Sequence, residues 1–198
     1  MKLVVGLGNP GAAYEGSPHN VGFAAADVLA RRVNASFRES SRFRAAVAKG
    51  VLAGEPVAVM KPLTYMNASG EAVGAWIRWN RLTVADLVVV LDDVDLELGR
   101  LRIRQRGGSG GHKGLASVVL HAGSDAFVRV RLGVGRGMAA PGEDVVAHVL
   151  RPFRGAQLET ATAMAERAAD AVEAMIEFGV ERAMNRYNTV AAAGEKTE

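Results

Sequence analysis

The sequence predicts a single α/β domain with a twisted, mixed and mostly parallel β-sheet flanked by helices, and with a long helix near the C-terminus. Short apolar runs rich in β-branched residues, at 3–5 and 87–91, are typical of strands buried on both faces. Segments with apolar residues every three or four positions alternate with such runs, which favours helices packed on the sheet. With 198 residues, 49% of them hydrophobic, the chain can bury one sizeable core.

Composition excludes several classes of protein. The chain has no cysteine, so disulfides, thiolate metal sites and cysteine nucleophiles are ruled out. No apolar run approaches the length of about 20 residues that a membrane helix needs, and no secretory signal is evident. We expect a cytoplasmic protein with one domain over residues 1–190 and a flexible tail over 191–198.

The first apolar run opens into Gly6-Leu7-Gly8-Asn9-Pro10-Gly11, which spells the dinucleotide fingerprint G-x-G-x-x-G. In a dinucleotide fold a helix begins within this loop, and the second strand ends in an acidic residue. Here the helical pattern begins only at about Asn20, and the next strand-like run, 44–52, ends in Ala53-Gly54. A dinucleotide-binding oxidoreductase is therefore the weaker alternative.

His19 precedes a predicted helix over 20–32, for which Asn20 is the candidate N-cap. The positive end of a helix dipole favours a neutral imidazole, which can act as a base. The alternative is that His19 only caps or staples the helix.

Residues 44–51 and 56–60 are predicted to form a strand pair, followed by a loop that becomes a helix through about Trp79. Asn67 in that loop has two possible roles. It could cap the helix, or its amide could point at a ligand beside the helix N-terminus.

The predicted strand 87–91 stops at Asp92-Asp93. Carboxylates at the tip of a buried strand need solvent or a partner such as an imidazole or a metal. Adjacent side chains on a strand point to opposite sides, so a metal held by both aspartates is not expected.

Arginine alternates with other residues through 100–106, which predicts a strand with one basic face, and 128–132 repeats the pattern with two arginines. Neighbouring strands of this kind would present one basic platform for an anion such as phosphate. Between these strands, residues 107–114 contain five glycines and Lys113. The glycines would let backbone amides approach an anion closely, but the order of residues does not match a Walker loop. The role of His112 in this loop stays open, and His121 and His148 are predicted to be structural.

The C-terminal third contains one long amphipathic helix with an alanine-rich stripe through 158–175. Gly179 is predicted to end it, and a short segment through Asn188 follows.

Several blocks together resemble bacterial peptidyl-tRNA hydrolase. These are Gly6 to Gly11, Tyr14, His19 to Phe23, Lys61-Pro62, Thr64 to Gly70, Asp92 to Leu96, Gly107 to Gly114 and Arg131 to Arg136. The resemblance runs from residue 3 to about Asn188 with the blocks in family order.

The resemblance implies an enzyme that cuts the ester between a peptide and the 3′-terminal ribose of tRNA, without a metal or other cofactor. His19 would be the general base and Asp92 would orient its imidazole. Asn67 would position the water or the scissile carbonyl, and Asn9 would sense the acylated amino group. Tyr14 and Tyr65 would lie beside the acceptor end.

The phosphates of the tRNA acceptor stem and 3′ CCA end would be held by cationic side chains, for which we assign Arg102, Arg104, Arg131 and Lys113. We expect a monomer that binds neither a membrane nor a metal. The family usually reads Thr-Arg-His-Asn where this chain has Ser17-Pro18-His19-Asn20, and Asn where it has Lys113. A non-catalytic RNA-binding relative with the same fold is the first alternative.

Overall fold

The computed structural model describes residues 1–136 and 145–189, so the predicted tail at 191–198 lies outside the described residues. Within these ranges the strands are β1 (Lys2–Gly6), β2 (Arg38–Ser40), β3 (Ala45–Leu52), β4 (Glu55–Pro62), β5 (Leu87–Asp93), β6 (Leu101–Arg104) and β7 (Val128–Gly133). The α-helices are α1 (Val21–Arg32), α2 (Ser69–Asn80), α3 (Lys113–Ala122), α4 (Val145–Leu150), α5 (Ala156–Phe178) and α6 (Val180–Tyr187).

The strands form one mixed sheet in the order β2-β3-β4-β1-β5-β7-β6. The four central strands, β4, β1, β5 and β7, run parallel, whereas β3 and β6 pair antiparallel with β4 and β7. The predicted α/β class is confirmed. The carboxyl ends of the central strands lie along one edge of the sheet, which is where ligands bind in open α/β folds.

Helices cover both faces of the sheet because side chains alternate along each strand. Val4 packs in a core with α1 and α5, whereas Leu3 and Val5 pack in a second core with α2 and α3. All three side chains are fully buried, as the apolar run predicted.

Glycines let α1 approach the end of β1 closely. A Cβ atom at Gly6 would lie 2.1 Å from the carbonyl oxygen of Gly22, and one at Gly22 would lie 2.4 Å from that of Leu7. This contact fixes the start of α1, and the short 3-10 turn Pro18–Asn20 before it, beside the carboxyl ends of β1 and β5.

Two features differ from the prediction. The short edge strand β2 was not predicted, and the arginine-rich strand covers only Leu101–Arg104 instead of 100–106. The long C-terminal helix is confirmed as α5, which ends at Gly179 and is followed by α6. None of the described helices is long and apolar enough to cross a membrane.

Candidate active site

His19 and Asp92 meet at the carboxyl edge of the sheet. His19 is the middle residue of the 3-10 turn Pro18–Asn20, and Asp92 lies near the end of β5. Pro18 suits the first position of this turn, since proline has a preset φ and the N–H that it lacks would have no partner within the turn. His19 Nδ1 lies 2.8 Å from Asp92 Oδ1, so the two residues singled out in the sequence are in contact.

A second imidazole contacts the same carboxylate oxygen. His112 Nε2 lies 2.9 Å from Asp92 Oδ1, and the backbone N–H of Leu115 donates to His112 Nδ1 at 3.1 Å. Because that N–H can only donate, Nδ1 is the unprotonated nitrogen of His112 and Nε2–H donates to Asp92. Sequence reasoning left the role of His112 open. The sequence did carry a signal for a role of His112 in the site. The residue follows two glycines and stands at the start of a helix that comes after the Asp92 strand in the chain.

The two imidazoles keep Asp92 ionised although its side chain is only 3% exposed. Burial alone raises the pKa of the Asp92 carboxyl group, but His112 and His19 lower it by more, so the net pKa lies well below the usual range. An ionised carboxylate can only accept, so His19 donates through Nδ1–H. Nε2 is then the ring nitrogen that carries no proton whenever the His19 imidazole is in its neutral form.

The potential ligand atoms of His19, Asp92 and His112 all lie within 4.8 Å of one another, a spacing that one metal ion could span. A metal on His112 Nε2 would move the imidazole proton to Nδ1. That proton would face the Leu115 N–H, and the helix would lose its capping acceptor. The arrangement therefore fits two imidazoles that are each hydrogen-bonded to Asp92 better than it fits a metal centre.

Asn9 is held in place by two neighbours. Its Oδ1 accepts from the backbone N–H of Met66 at 2.8 Å, and its own backbone N–H and C=O bond to the side chain of Asn20 at 2.8 and 3.0 Å. Asn20 stands directly before α1 as predicted, but the expected capping bond is absent. The Asn20 amide instead satisfies backbone groups of Asn9, a residue that is 7% exposed.

Asn67 lies in the 3-10 turn Met66–Ala68, and its side chain is exposed. The N-cap position of α2 is Ala68, so the predicted capping alternative for Asn67 is wrong. The turn packs against the start of α3, since a Cβ atom at Gly114 would lie 2.4 Å from the Met66 sulfur. The Asn67 amide makes no hydrogen bond to the described residues, and Asn67 does not line the cavity that contains His19 and His112.

The two predicted tyrosines differ in exposure and in local contacts. Tyr65 directly precedes the Asn67 turn and is 66% exposed. Tyr14 is half-buried at the end of the 3-10 helix Ala12–Tyr14, and its carbonyl accepts from the backbone N–H and the hydroxyl of Ser17. Neither tyrosine lines the cavity that contains His19.

The predicted arginine platform is only partly present. Strands β6 and β7 are neighbours, with Arg102 opposite Arg131 and Arg104 opposite Arg129. Arg129, however, is 1% exposed, and its guanidinium donates to the carbonyls of Gly107, Asp125 and Phe127. Of the residues assigned to phosphate binding, Arg102 and Arg104 are exposed and have no ion-pair partner among the described residues.

Arg131 is only 24% exposed, and its Nε lies 3.1 Å from Asp93 Oδ2. The contact is an ion pair without hydrogen-bond geometry. Asp92 and Asp93 thus have separate partners, which agrees with the expectation that adjacent aspartates on a strand diverge.

A cavity of about 310 Å³ surrounds the catalytic candidates and is lined by His19, Asp92, His112, Lys113 and Arg131, among others. A larger cavity of about 630 Å³ lies behind Asn9 and is not lined by His19, Asp92 or His112. The smaller cavity is therefore the one that contains the His19–Asp92 pair. His121 Nδ1 and His148 Nε2 each lie 2.9 Å from a backbone carbonyl, which agrees with structural roles.

An imidazole held through Nδ1 by a buried carboxylate, at the carboxyl edge of a parallel sheet, gives this α/β protein an arrangement suited to general-base chemistry. Comparison with known proteins specifies the family. The family model for peptidyl-tRNA hydrolase matches residues 3–196. This chain belongs to the peptidyl-tRNA hydrolase family.

Individual relatives agree with this assignment. A peptidyl-tRNA hydrolase of Mycobacterium tuberculosis is 46% identical over 187 residues, which cover 94% of this chain and 96% of the relative. One from Halalkalibacterium halodurans is 42% identical over 188 residues, covering 95% and 100%. The crystal structure of peptidyl-tRNA hydrolase from Acinetobacter baumannii has a TM-score of 0.87 at 30% identity, covering 96% of this chain and 95% of that one.

Proposed function

We propose that this chain hydrolyses the ester between the peptide and the 3′-terminal ribose of peptidyl-tRNA, with His19 as the general base. The observation that carries the proposal is the 2.8 Å contact between His19 Nδ1 and Asp92 Oδ1, which leaves Nε2 as the proton acceptor. An ester is already reactive, so a positioned base that removes a proton from water contributes about 10²- to 10⁴-fold in rate.

The remaining site residues are assigned by position. Asp92 orients His19, and the free amide of Asn67 positions the water or the scissile carbonyl. Asn9 senses the acylated amino group through its Nδ2, because its Oδ1 is engaged by Met66. The proposed mechanism needs no metal. The tautomer of His112 supports this, because a metal on His112 Nε2 would require the proton on Nδ1.

The tRNA acceptor stem and 3′ CCA end are held by charge. The exposed Arg102 and Arg104, with Arg131, contact phosphates, while Tyr14 and Tyr65 lie beside the acceptor end. Contacts to phosphates carry no base information, so different tRNAs should bind alike. A substrate produced by translation implies a cytoplasmic enzyme, and we infer that it acts as a monomer.

The test is release of the acyl group from N-acetyl-aminoacyl-tRNA by the purified protein in the presence of EDTA. The wild type should turn over and His19→Ala should lose most of the rate while still binding tRNA. His121→Ala is the matched control, since it removes an imidazole outside the site and should keep the rate. Binding of tRNA without turnover by the wild type would refute the proposal and favour the RNA-binding alternative.

A further inference from the structure

Among the described residues that line the catalytic cavity, Lys113 is a cation without an ion-pair partner. The lysine and arginine side chains that line the cavity within the described part of the chain are Lys113, Arg131 and Arg136. Arg131 pairs with Asp93, and Arg136 Nε lies 2.6 Å from Asp95 Oδ1. Lys113 is exposed and makes no ion pair or side-chain hydrogen bond within the described ranges.

The position is an unfavourable one for a lysine. Lys113 is the first residue of α3, where the helix dipole presents its positive end and acidic side chains are preferred. No acidic side chain of the first turn offsets the charge. A residue that contradicts the local electrostatics without compensation is expected mainly at functional sites.

The neighbours of Lys113 are the reacting groups. It directly follows His112, whose ring centroid lies 5.1 Å from that of His19, and it lines the same cavity as both imidazoles. The Asp92 carboxylate accepts hydrogen bonds from the two imidazoles and makes no ion pair with Lys113. Lys113 therefore places an ammonium group without an ion-pair partner among the described residues in the same cavity as the proposed base.

Ester hydrolysis creates a matching negative charge. Water gives a proton to His19 Nε2 as its oxygen bonds to the ester carbon, and the carbonyl oxygen becomes an oxyanion. When the C=O bond re-forms, the bond to the ribose oxygen breaks and His19 returns the proton to that oxygen. A donor aimed at the oxyanion lowers both barriers, and a charged donor is stronger than a neutral one.

We propose that the Lys113 ammonium donates a hydrogen bond to this oxyanion, and so acts at the scissile ester instead of at a tRNA phosphate. This inference rests on the proposed function. Lys113 keeps its proton throughout, and His19 alone transfers one.

The test compares Lys113→Met and Lys113→Arg with the wild type in single-turnover hydrolysis of N-acetyl-aminoacyl-tRNA at saturating enzyme. Lys113→Met should slow the chemical step about 10²-fold, as loss of an oxyanion donor does, and Lys113→Arg should retain most of the rate. The dissociation constant for deacylated tRNA and its salt dependence should stay unchanged. Thermal stability of Lys113→Met should be equal or higher, because a charge leaves the positive end of α3.

An unchanged chemical step in Lys113→Met, with weaker tRNA binding and a reduced salt slope, would overturn the inference and assign Lys113 to a phosphate. Arg104→Gln is the control for that outcome, since it removes a charge from the exposed arginines outside the cavity. No turnover by the wild type would instead refute the proposed function, so the two failures are distinguishable.

Discussion

Replacing His112 tests whether the second imidazole allows Asp92 to remain buried and charged. Its Nε2–H donates to the carboxylate at 2.9 Å, and hydrogen bonds to charged groups contribute about 1.5–3 kcal/mol. Its Nδ1 also caps α3 by accepting from Leu115, which adds about 1 kcal/mol. We therefore expect His112→Ala to lower the free energy of unfolding by about 2.5–4 kcal/mol.

His112→Asn separates the two contributions. Asparagine is a preferred N-cap, and its shorter side chain keeps an acceptor beside Leu115 but withdraws the donor from Asp92. This variant should lose about 1.5–3 kcal/mol, measured by urea unfolding at pH 7 against the wild type and a His121→Asn control. Surface substitutions usually change the free energy of unfolding by no more than about 0.5 kcal/mol. A change of that size in His112→Asn would refute the view that His112 stabilises the Asp92 charge.

Three further expectations concern the other site residues. Because the pKa of Asp92 is lowered in the folded state, its charge stabilises the fold above the usual carboxyl pKa. The stability advantage of the wild type over Asp92→Asn should therefore be full above about pH 5 and should shrink as the pH falls below about 4. A pH-independent difference between the two proteins in urea unfolding would contradict this. Arg104→Ala should weaken tRNA binding and reduce the slope of log K against log salt by about one, and an unchanged slope in a binding titration would remove Arg104 from the phosphate contacts. Asn9→Asp should let the enzyme attack unblocked aminoacyl-tRNA, because it keeps the acceptor for Met66 but loses the amide donor; unchanged discrimination between acylated and free amino groups would argue against the sensing role.

The backbone of this site was accessible from sequence because its signals are local. The apolar run at 87–91 ends at Asp92, and α1 begins at Val21, one residue after the predicted start, so both side chains could be placed at element ends. Parallel strands in α/β folds then bring such ends together.

The partners of those side chains were not predictable, because they depend on tertiary contacts. Asn20 has the right identity and position for an N-cap, yet the buried backbone of Asn9 takes its amide. Arg129 and Arg102 share the same alternating pattern, but β7 lies inside the sheet and β6 at its edge. The Arg129 guanidinium therefore bonds to backbone carbonyls, while Arg102 is exposed.

The glycine motif at the N-terminus is a pattern that can serve either phosphate binding or close helix packing. In a dinucleotide fold these glycines bring pyrophosphate to a helix N-terminus, but here α1 begins at Val21, ten residues after Gly11. A Cβ atom at Gly8 would lie 2.7 Å from the Phe23 ring and 3.0 Å from Asn20 Oδ1. Gly8 thus makes room for helix residues where a nucleotide loop would make room for phosphate. Gly6 and Gly8 of this motif therefore allow the close packing against α1 that helps to hold the turn with His19, the proposed base, beside Asp92.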